Sequence, residues 1–173
     1  MTERAVESKT RFTAALAQDW PRLVSIVLAA VGLPIALYLS YVSLTGSGQT
    51  MACPAEGQTW LGLPVDCGLV ERSSYSRIGS IPVAVLGAGG YLLILLALLL
   101  EDRIPFLVEN GRLALFGLTL FGFAFSAYLT WVEATQIRAY CVWCVVSAAL
   151  MTALFILALV RLVRGLNADA DPA

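Results

Sequence analysis

The sequence predicts an all-α membrane protein, a four-transmembrane-helix bundle with one long extracytoplasmic loop. Three observations carry that prediction. The chain is 59% hydrophobic and only 13% charged, where soluble domains carry roughly 25% charged residues. Its charges are clumped: no Lys, Arg, Asp or Glu falls between Arg22 and Glu56, Arg77 and Glu101, Arg112 and Glu133, or Arg138 and Arg161. Each gap has room for the ~20 apolar residues that cross a bilayer as a helix. Residues 45–80 are rich in Gly, Pro and Ser and are the only substantial stretch outside the membrane. A soluble core would need far more polar covering surface than this chain has.

Residues 1–22 form a polar segment on the cytoplasmic side or at the interface. Phe12, Ala15, Leu16 and Trp20 recur at helical spacing, which fits a short interfacial helix or a tail with one Trp at the headgroups. The four-helix catalytic domain covers residues 23–160. Its first apolar run, residues 23–44, exceeds the ~7–15 residues of a signal h-region, and no small-residue cleavage site follows, so it stays as an anchor. Pro34 predicts a kink there. The second helix starts at Ile81-Pro82, with Pro at a favoured first-turn position, and ends near Leu100. A short charged loop, residues 101–111, leads to the third helix at 112–132. A tight connection, 133–139, leads to the fourth at 140–160, and 161–173 form a cytoplasmic tail. Gly87, Gly89, Gly90, Gly117 and Gly122 would let helix backbones approach closely.

Orientation follows from the basic residues, which favour the cytoplasmic side. With the N-terminus inside, Arg4, Lys9, Arg11, Arg22, Arg103, Arg112, Arg161 and Arg164 lie inside and only Arg72, Arg77 and Arg138 outside. All four cysteines then share the outer face. Both termini are cytoplasmic.

Net charge is −1 and the chain has no histidine. Nothing points to nucleic acid, and the commonest general base and metal ligand is missing. The chemistry falls to thiols, carboxylates, hydroxyls or a bound cofactor. The cysteines make two pairs. Cys141-Val142-Trp143-Cys144 opens the last apolar segment, and Cys53 and Cys67 lie in the long loop. Cysteines three apart on a helix share a face, and the helix N-terminus favours the thiolate. Cys141 is nearer the water; Cys144, one turn deeper, is within reach of a lipid-soluble oxidant. Cys53 and Cys67 read either as a structural staple or as a shuttle disulfide that exchanges with the helix pair. Arg72 and Arg77 oppose Asp66 in setting the Cys67 environment. A four-cysteine zinc site fits poorly, because only one pair has the short spacing. Glu133 reads as an interfacial charge, with proton donor as the alternative. Trp131, Trp143, Tyr128 and Tyr140 read as an aromatic belt, with Trp143 also a candidate wall for a bound oxidant. A transporter would usually show charges within its spans, and these show none.

The run from Cys67 through Ser73-Ser74-Tyr75-Ser76, Gly79-Ser80-Ile81-Pro82, Gly87 and Tyr91, followed much later by Cys141 and Cys144, resembles the vitamin K epoxide reductase family, its bacterial homologues in particular. The likeness covers residues 23–160. Disulfide oxidases of the DsbB type place their C-x-x-C in the first outer loop, whereas here it comes last.

The resemblance implies a bundle around a quinone, menaquinone or ubiquinone, with a vitamin K type also open. Cys141 and Cys144 would be the active-site pair and Cys53 and Cys67 the loop shuttle. Cys144, Ser73, Ser74, Val83, Gly87, Trp143 and Ala148 would border the quinone. It further implies a bacterial inner or plasma membrane location and a partner outside the membrane, a thioredoxin-fold, DsbA-like thiol oxidase. The short tail makes that partner a separate protein. Vertebrate members carry Asn and Tyr near the quinone where this chain has Val83 and Ala148. That counts against vitamin K epoxide and leaves quinone reduction intact. The Cys53–Cys67 spacing is longer than in many relatives. The rival reading is a non-catalytic membrane module with two structural disulfides.

Overall fold

A computed structural model describes residues 20–46, 52, 53 and 55–170. The interfacial helix expected within residues 1–19 lies outside the described residues. Four helices are long and apolar enough to cross a membrane, and the protein is an integral membrane protein. They are α1 (Trp20–Thr45), α3 (Val83–Leu100), α4 (Pro105–Val132) and α5 (Val142–Ala170); a short α2 (Cys67–Arg72) lies in the long loop. Even the shortest span, α3 with 18 residues, covers about 27 Å at ~1.5 Å per residue. Large apolar side chains such as Val27, Leu93, Phe121 and Ile156 point outward, Phe121 with 72% of its surface exposed. Such a surface is stable only against lipid.

The helices form a ring in which α1 packs on α3 and α5, α5 on α4, and α4 more loosely on α3. The tightest seam has a specific cause. Ser25, Ala29, Gly32, Ala36, Ser40 and Ser43 form one buried stripe on α1. Small side chains let a neighbouring backbone come close. The buried hydroxyls are satisfied within the helix: Ser25 donates to the Pro21 carbonyl at 2.7 Å and Ser40 to that of Ala36 at 2.6 Å. The Tyr91 ring of α3 lies directly on Gly32. Ile94, Leu98, Leu115, Met151 and Leu154 complete the core.

The glycines expected to serve close packing divide. At Gly122 a Cβ would come within 2.7 Å of the Met151 sulfur, as expected. At Gly87, Gly89, Gly90 and Gly117 a Cβ would meet nothing within 4 Å. These four leave space open instead. The close-packing stripe is on α1, where serine and alanine supply most of it.

The helix ends also differ from the apolar boundaries. α4 starts at Pro105, within the expected charged loop, because proline in a first helical turn needs no N–H partner. α5 runs past residue 160 to Ala170. Its last turns are held by charges: Arg161 donates to both Glu101 oxygens at 2.9 and 2.7 Å, Arg22 binds Asp102 at 2.8 Å, and Arg164 stacks over Trp20 at 5.7 Å. A helix ends where its backbone bonds end, not where its side chains turn polar. This charged end lies opposite the cysteines. α1 continues through Pro34 as one helix.

The long loop folds as two short hairpins flanking α2. Strands β1 (Thr59–Trp60) and β2 (Leu63–Pro64) pair antiparallel, as do β3 (Arg77–Ile78) and β4 (Ile81–Pro82). Pro82 caps α3.

Gly32→Ala is expected to drive a methyl into the Tyr91 ring and to destabilise the protein by about 1–3 kcal/mol, the range for overpacking a filled core. Thermal unfolding in detergent should show a lower midpoint for G32A and a nearly unchanged one for G90A.

Candidate functional site

The site is assembled by backbone pairing between two distant segments. After β2 the chain runs alongside the connection that precedes α5, and Val65 bridges Tyr140 in parallel. The Tyr140 N–H donates to the Pro64 carbonyl at 3.0 Å, and the Asp66 N–H donates to the Tyr140 carbonyl at 3.1 Å. Asp66 then caps α2, its Oδ1 accepting the Leu69 N–H at 2.8 Å. Cys67, the first residue of α2, is thereby brought into one cluster with Cys141, the residue before α5. Cys67 is fully buried, Cys141 is 2% exposed, and both pack with Val42, Val70 and Ala139.

Cys53 and Cys67 are joined in a disulfide with their Cα atoms 5.9 Å apart. Cys141 and Cys144 are free thiols. The long Cys53–Cys67 spacing is taken up by the β1–β2 hairpin. The surrounding charges do structural work: Arg72 donates to the Gly68 carbonyl at 3.1 Å and Arg77 to that of Ser43 at 3.0 Å.

The Cys141 carbonyl accepts the Val145 N–H at 3.0 Å, so the thiol stands at the cap of α5 and Cys144 one turn inside. Cys141 does not face water as expected, because the pinned loop covers it. Cys53, like Cys144, is partly exposed. Cys144 is half-buried, and its open side borders a cavity.

Glu133 differs most from expectation. It is 3% exposed and no interfacial charge. α4 ends in a π turn, Glu133–Ile137, closed by Arg138 in the left-handed conformation at φ 58°. The wider turn swings the Glu133 carboxyl under α5. Its Oε2 accepts the Cys141 N–H at 3.3 Å, and the carboxyl borders the same cavity end as Cys144.

The cavity has a volume of about 590 Å³ and is walled mainly by α3, α4 and α5 beneath the loop. Cys67, Cys141, Cys144 and Glu133 border it at one end, and Leu93, Ile94, Phe121 and Met151 are among its apolar walls. Leu93 and Phe121 are also exposed, so it opens onto the lipid-facing surface between α3 and α4. Of the residues proposed from sequence to border a quinone, Cys144, Ser73, Val83, Gly87 and Ala148 line the cavity; Ser74 and Trp143 do not. The Ser73 hydroxyl donates to the Val70 carbonyl at 2.8 Å. Beside the apolar Ala148, Tyr91 donates to the Ser147 carbonyl at 2.9 Å, a polar pair at the cavity wall.

Trp143 turns to the loop instead. Its indole N–H donates to the Ala52 carbonyl at 2.7 Å, its ring meets Tyr38 edge-on at 6.0 Å, and the Tyr38 hydroxyl accepts the Ala52 N–H at 3.2 Å. Both backbone groups of the residue before Cys53 are thus held by aromatic side chains. Of the expected aromatic belt, Tyr128 and Trp131 are exposed, while Tyr140 is buried in the bridge.

Residues 23–159 match the sequence profile of the vitamin K epoxide reductase family. The chain belongs to that family. Over 125 residues it is 37% identical to the thiol-disulfide oxidoreductase LTO1 of Arabidopsis thaliana, a match that takes in 69% of this chain and 31% of that relative. Enzymes of the vitamin K epoxide reductase family are in general quinone-linked. Within it, Glu133 and the aromatic hold on Ala52 are the features that sequence reasoning undervalued or missed. The signal for Glu133 was its place as the lone acid ending an otherwise uncharged span.

Trp143→Phe keeps the ring and removes the N–H donor. A typical hydrogen bond contributes about 0.5–1.5 kcal/mol net, so the loop disulfide should be reduced by a small dithiol ~2- to 10-fold faster in W143F. Timed alkylation with mass spectrometry measures this; an unchanged rate would show that the indole does not hold the loop.

Proposed function

We propose that this protein is a membrane thiol–disulfide oxidoreductase that draws electron pairs from a reduced thiol protein and passes them to a membrane quinone, supporting disulfide formation outside the cytoplasm. The observation that carries the reading is the burial of Cys67 and Cys141 in one apolar cluster, with Cys144 on the cavity. The partner is a thioredoxin-fold, DsbA-like protein. The basic residues gathered at the end opposite the cysteines support a cytoplasmic side for that end, with the cysteines facing outward across a bacterial inner or plasma membrane.

The residues allow one order of exchange. A partner thiolate attacks Cys53, the partly exposed member of the loop disulfide, and Cys67 leaves. The partner's second thiol releases Cys53, so the partner is oxidised and the loop is a dithiol. Cys67 then attacks Cys141 of an oxidised Cys141–Cys144 pair, and Cys144 leaves on the cavity side. Cys53 attacks Cys67, which restores the loop disulfide and frees Cys141. Two electrons have moved from partner to helix pair, by the thiolate-on-disulfide chemistry such exchange requires.

The cavity fits a quinone ring: its volume lies within the roughly 300–1,000 Å³ of ligand pockets, its walls are apolar, and the missing side chain at Gly87 leaves room beside it. Val83, Gly87, Ala148 and Met151 would hold the ring, and Cys144 stands at its edge. A bound quinone supplies a sink for two electrons and two protons. Menaquinone and ubiquinone both suit such walls. Val83 and Ala148 bring no hydrogen-bonding side chain toward an epoxide oxygen, which disfavours vitamin K epoxide.

A cysteine-pair trap tests this. C53S/C144S leaves Cys67 and Cys141, which are expected to form a disulfide in membranes; C53S/C141S should yield little Cys67–Cys144 bond. Dithiol-driven quinone reduction should be abolished in C141S and C144S. A Cys53–Cys67 bond that persists unexchanged, with no quinone reduction by the unmutated protein, would mean structural disulfides in a non-catalytic module.

A further inference from the structure

Each oxidation of the helix dithiol must dispose of two protons, and the cysteines themselves offer no route for them. Glu133 is the buried acid at this point. It accepts the Cys141 N–H and lines the cavity together with Cys144. Among the described residues no Lys or Arg forms a salt bridge with it. A carboxyl kept from water without a cation is costly as a permanent charge. With Cys144 on the same cavity, it is placed to exchange a proton.

We propose that Glu133 is a catalytic residue, the proton carrier between the Cys144 thiol and the electron acceptor in the cavity; the inference rests on the oxidoreductase reading above. The Cys144 S–H bond breaks as its proton passes to the Glu133 carboxylate. The Cys141 S–H bond breaks as well, and a Cys141–Cys144 S–S bond forms. The two electrons go to a quinone. One proton reaches a quinone oxygen from Glu133, which returns to carboxylate, and the second derives from Cys141. The other ionisable groups on the cavity wall are Cys141, Glu71 of α2, Tyr75 after it and Tyr91 of α3, while Cys67 is tied up in the disulfide. Glu71 is partly exposed at the loop side, and the Tyr91 hydroxyl is engaged by Ser147.

The test compares E133Q and E133D with the unmutated full-length protein in lipid nanodiscs. Glutamine keeps an acceptor for the Cys141 N–H but cannot carry the proton. Pre-reduced protein is mixed with a short-tailed ubiquinone analogue, and disulfide formation is followed in a single turnover. E133Q should slow it by at least about 100-fold, the usual lower range for losing a general acid–base group, and E133D should recover part of the rate. Loop-to-helix exchange, measured without quinone, should be unchanged. With Cys141 replaced by Ser to remove its own coupling, the pH profile of Cys144 alkylation should show two coupled ionisations when Glu133 is present and one with E133Q. Oxidation of E133Q at the unmutated rate would overturn the proposal. So would equal slowing of quinone-dependent oxidation and loop-to-helix exchange, which marks a structural role. If the unmutated protein fails to reduce the quinone, the oxidoreductase reading falls, and the alkylation profile alone decides whether Glu133 and Cys144 share a proton.

Discussion

The backbone bridge between Val65 and Tyr140 is the constraint on which the rest of the site depends. Its two hydrogen bonds join segments about seventy-five positions apart. They bring Cys67 into one cluster with Cys141, they hold the residue just before α5, and they follow directly on the π turn that carries Glu133. Each bond contributes only about 0.5–1.5 kcal/mol net. Their leverage is geometric, since a slip of one residue in this register would carry Cys67 off the motif. The apolar packing of Val42, Val70 and Ala139 around the two cysteines opposes such a slip.

Below the bridge the protein joins two media. The loop meets water through Cys53, while the cavity meets lipid between α3 and α4. The sulfurs lie where these meet, with Cys67 and Cys141 shielded from water. The tight α1–α3 seam and the loose α3–α4 seam are two outcomes of the same rule. Where a small-residue stripe faces a large ring, the gap closes; where Gly87 and Gly90 face no large partner, it stays open.

The four spans and the long loop were legible because charge spacing alone reports where a chain can lie in lipid. The C-x-x-C at the head of the last span was legible for the same reason. The orientation of helix faces was not. Hydropathy does not separate the faces of α1, so the inward stripe is marked only by the recurrence of the small residues Ser25, Ala29, Gly32 and Ala36 at steps of three and four. Trp143 sits inside the C-x-x-C motif, and nothing local says that its indole turns to Ala52 instead of the cavity. Glu133 reads as interfacial by position. It is buried because Arg138 adopts a left-handed conformation that closes a π turn, next to a bridge to a distant segment. Contacts made by pairing across the chain leave no trace in any one window of it.

The hairpin between Cys53 and Cys67 has a consequence for how such chains vary. Its tip, Leu61-Gly62, has both residues in the left-handed region, with φ of 49° and 82°, and Leu61 projects 80% exposed. The hairpin begins and ends beside the disulfide, so the distance between sulfurs is independent of how many residues lie between. Lengthening a flexible loop is entropically mild, about 0.6 kcal/mol per doubling. Insertions at this tip should therefore be nearly neutral, and the count of residues between the two cysteines can drift freely while the sulfurs keep their places.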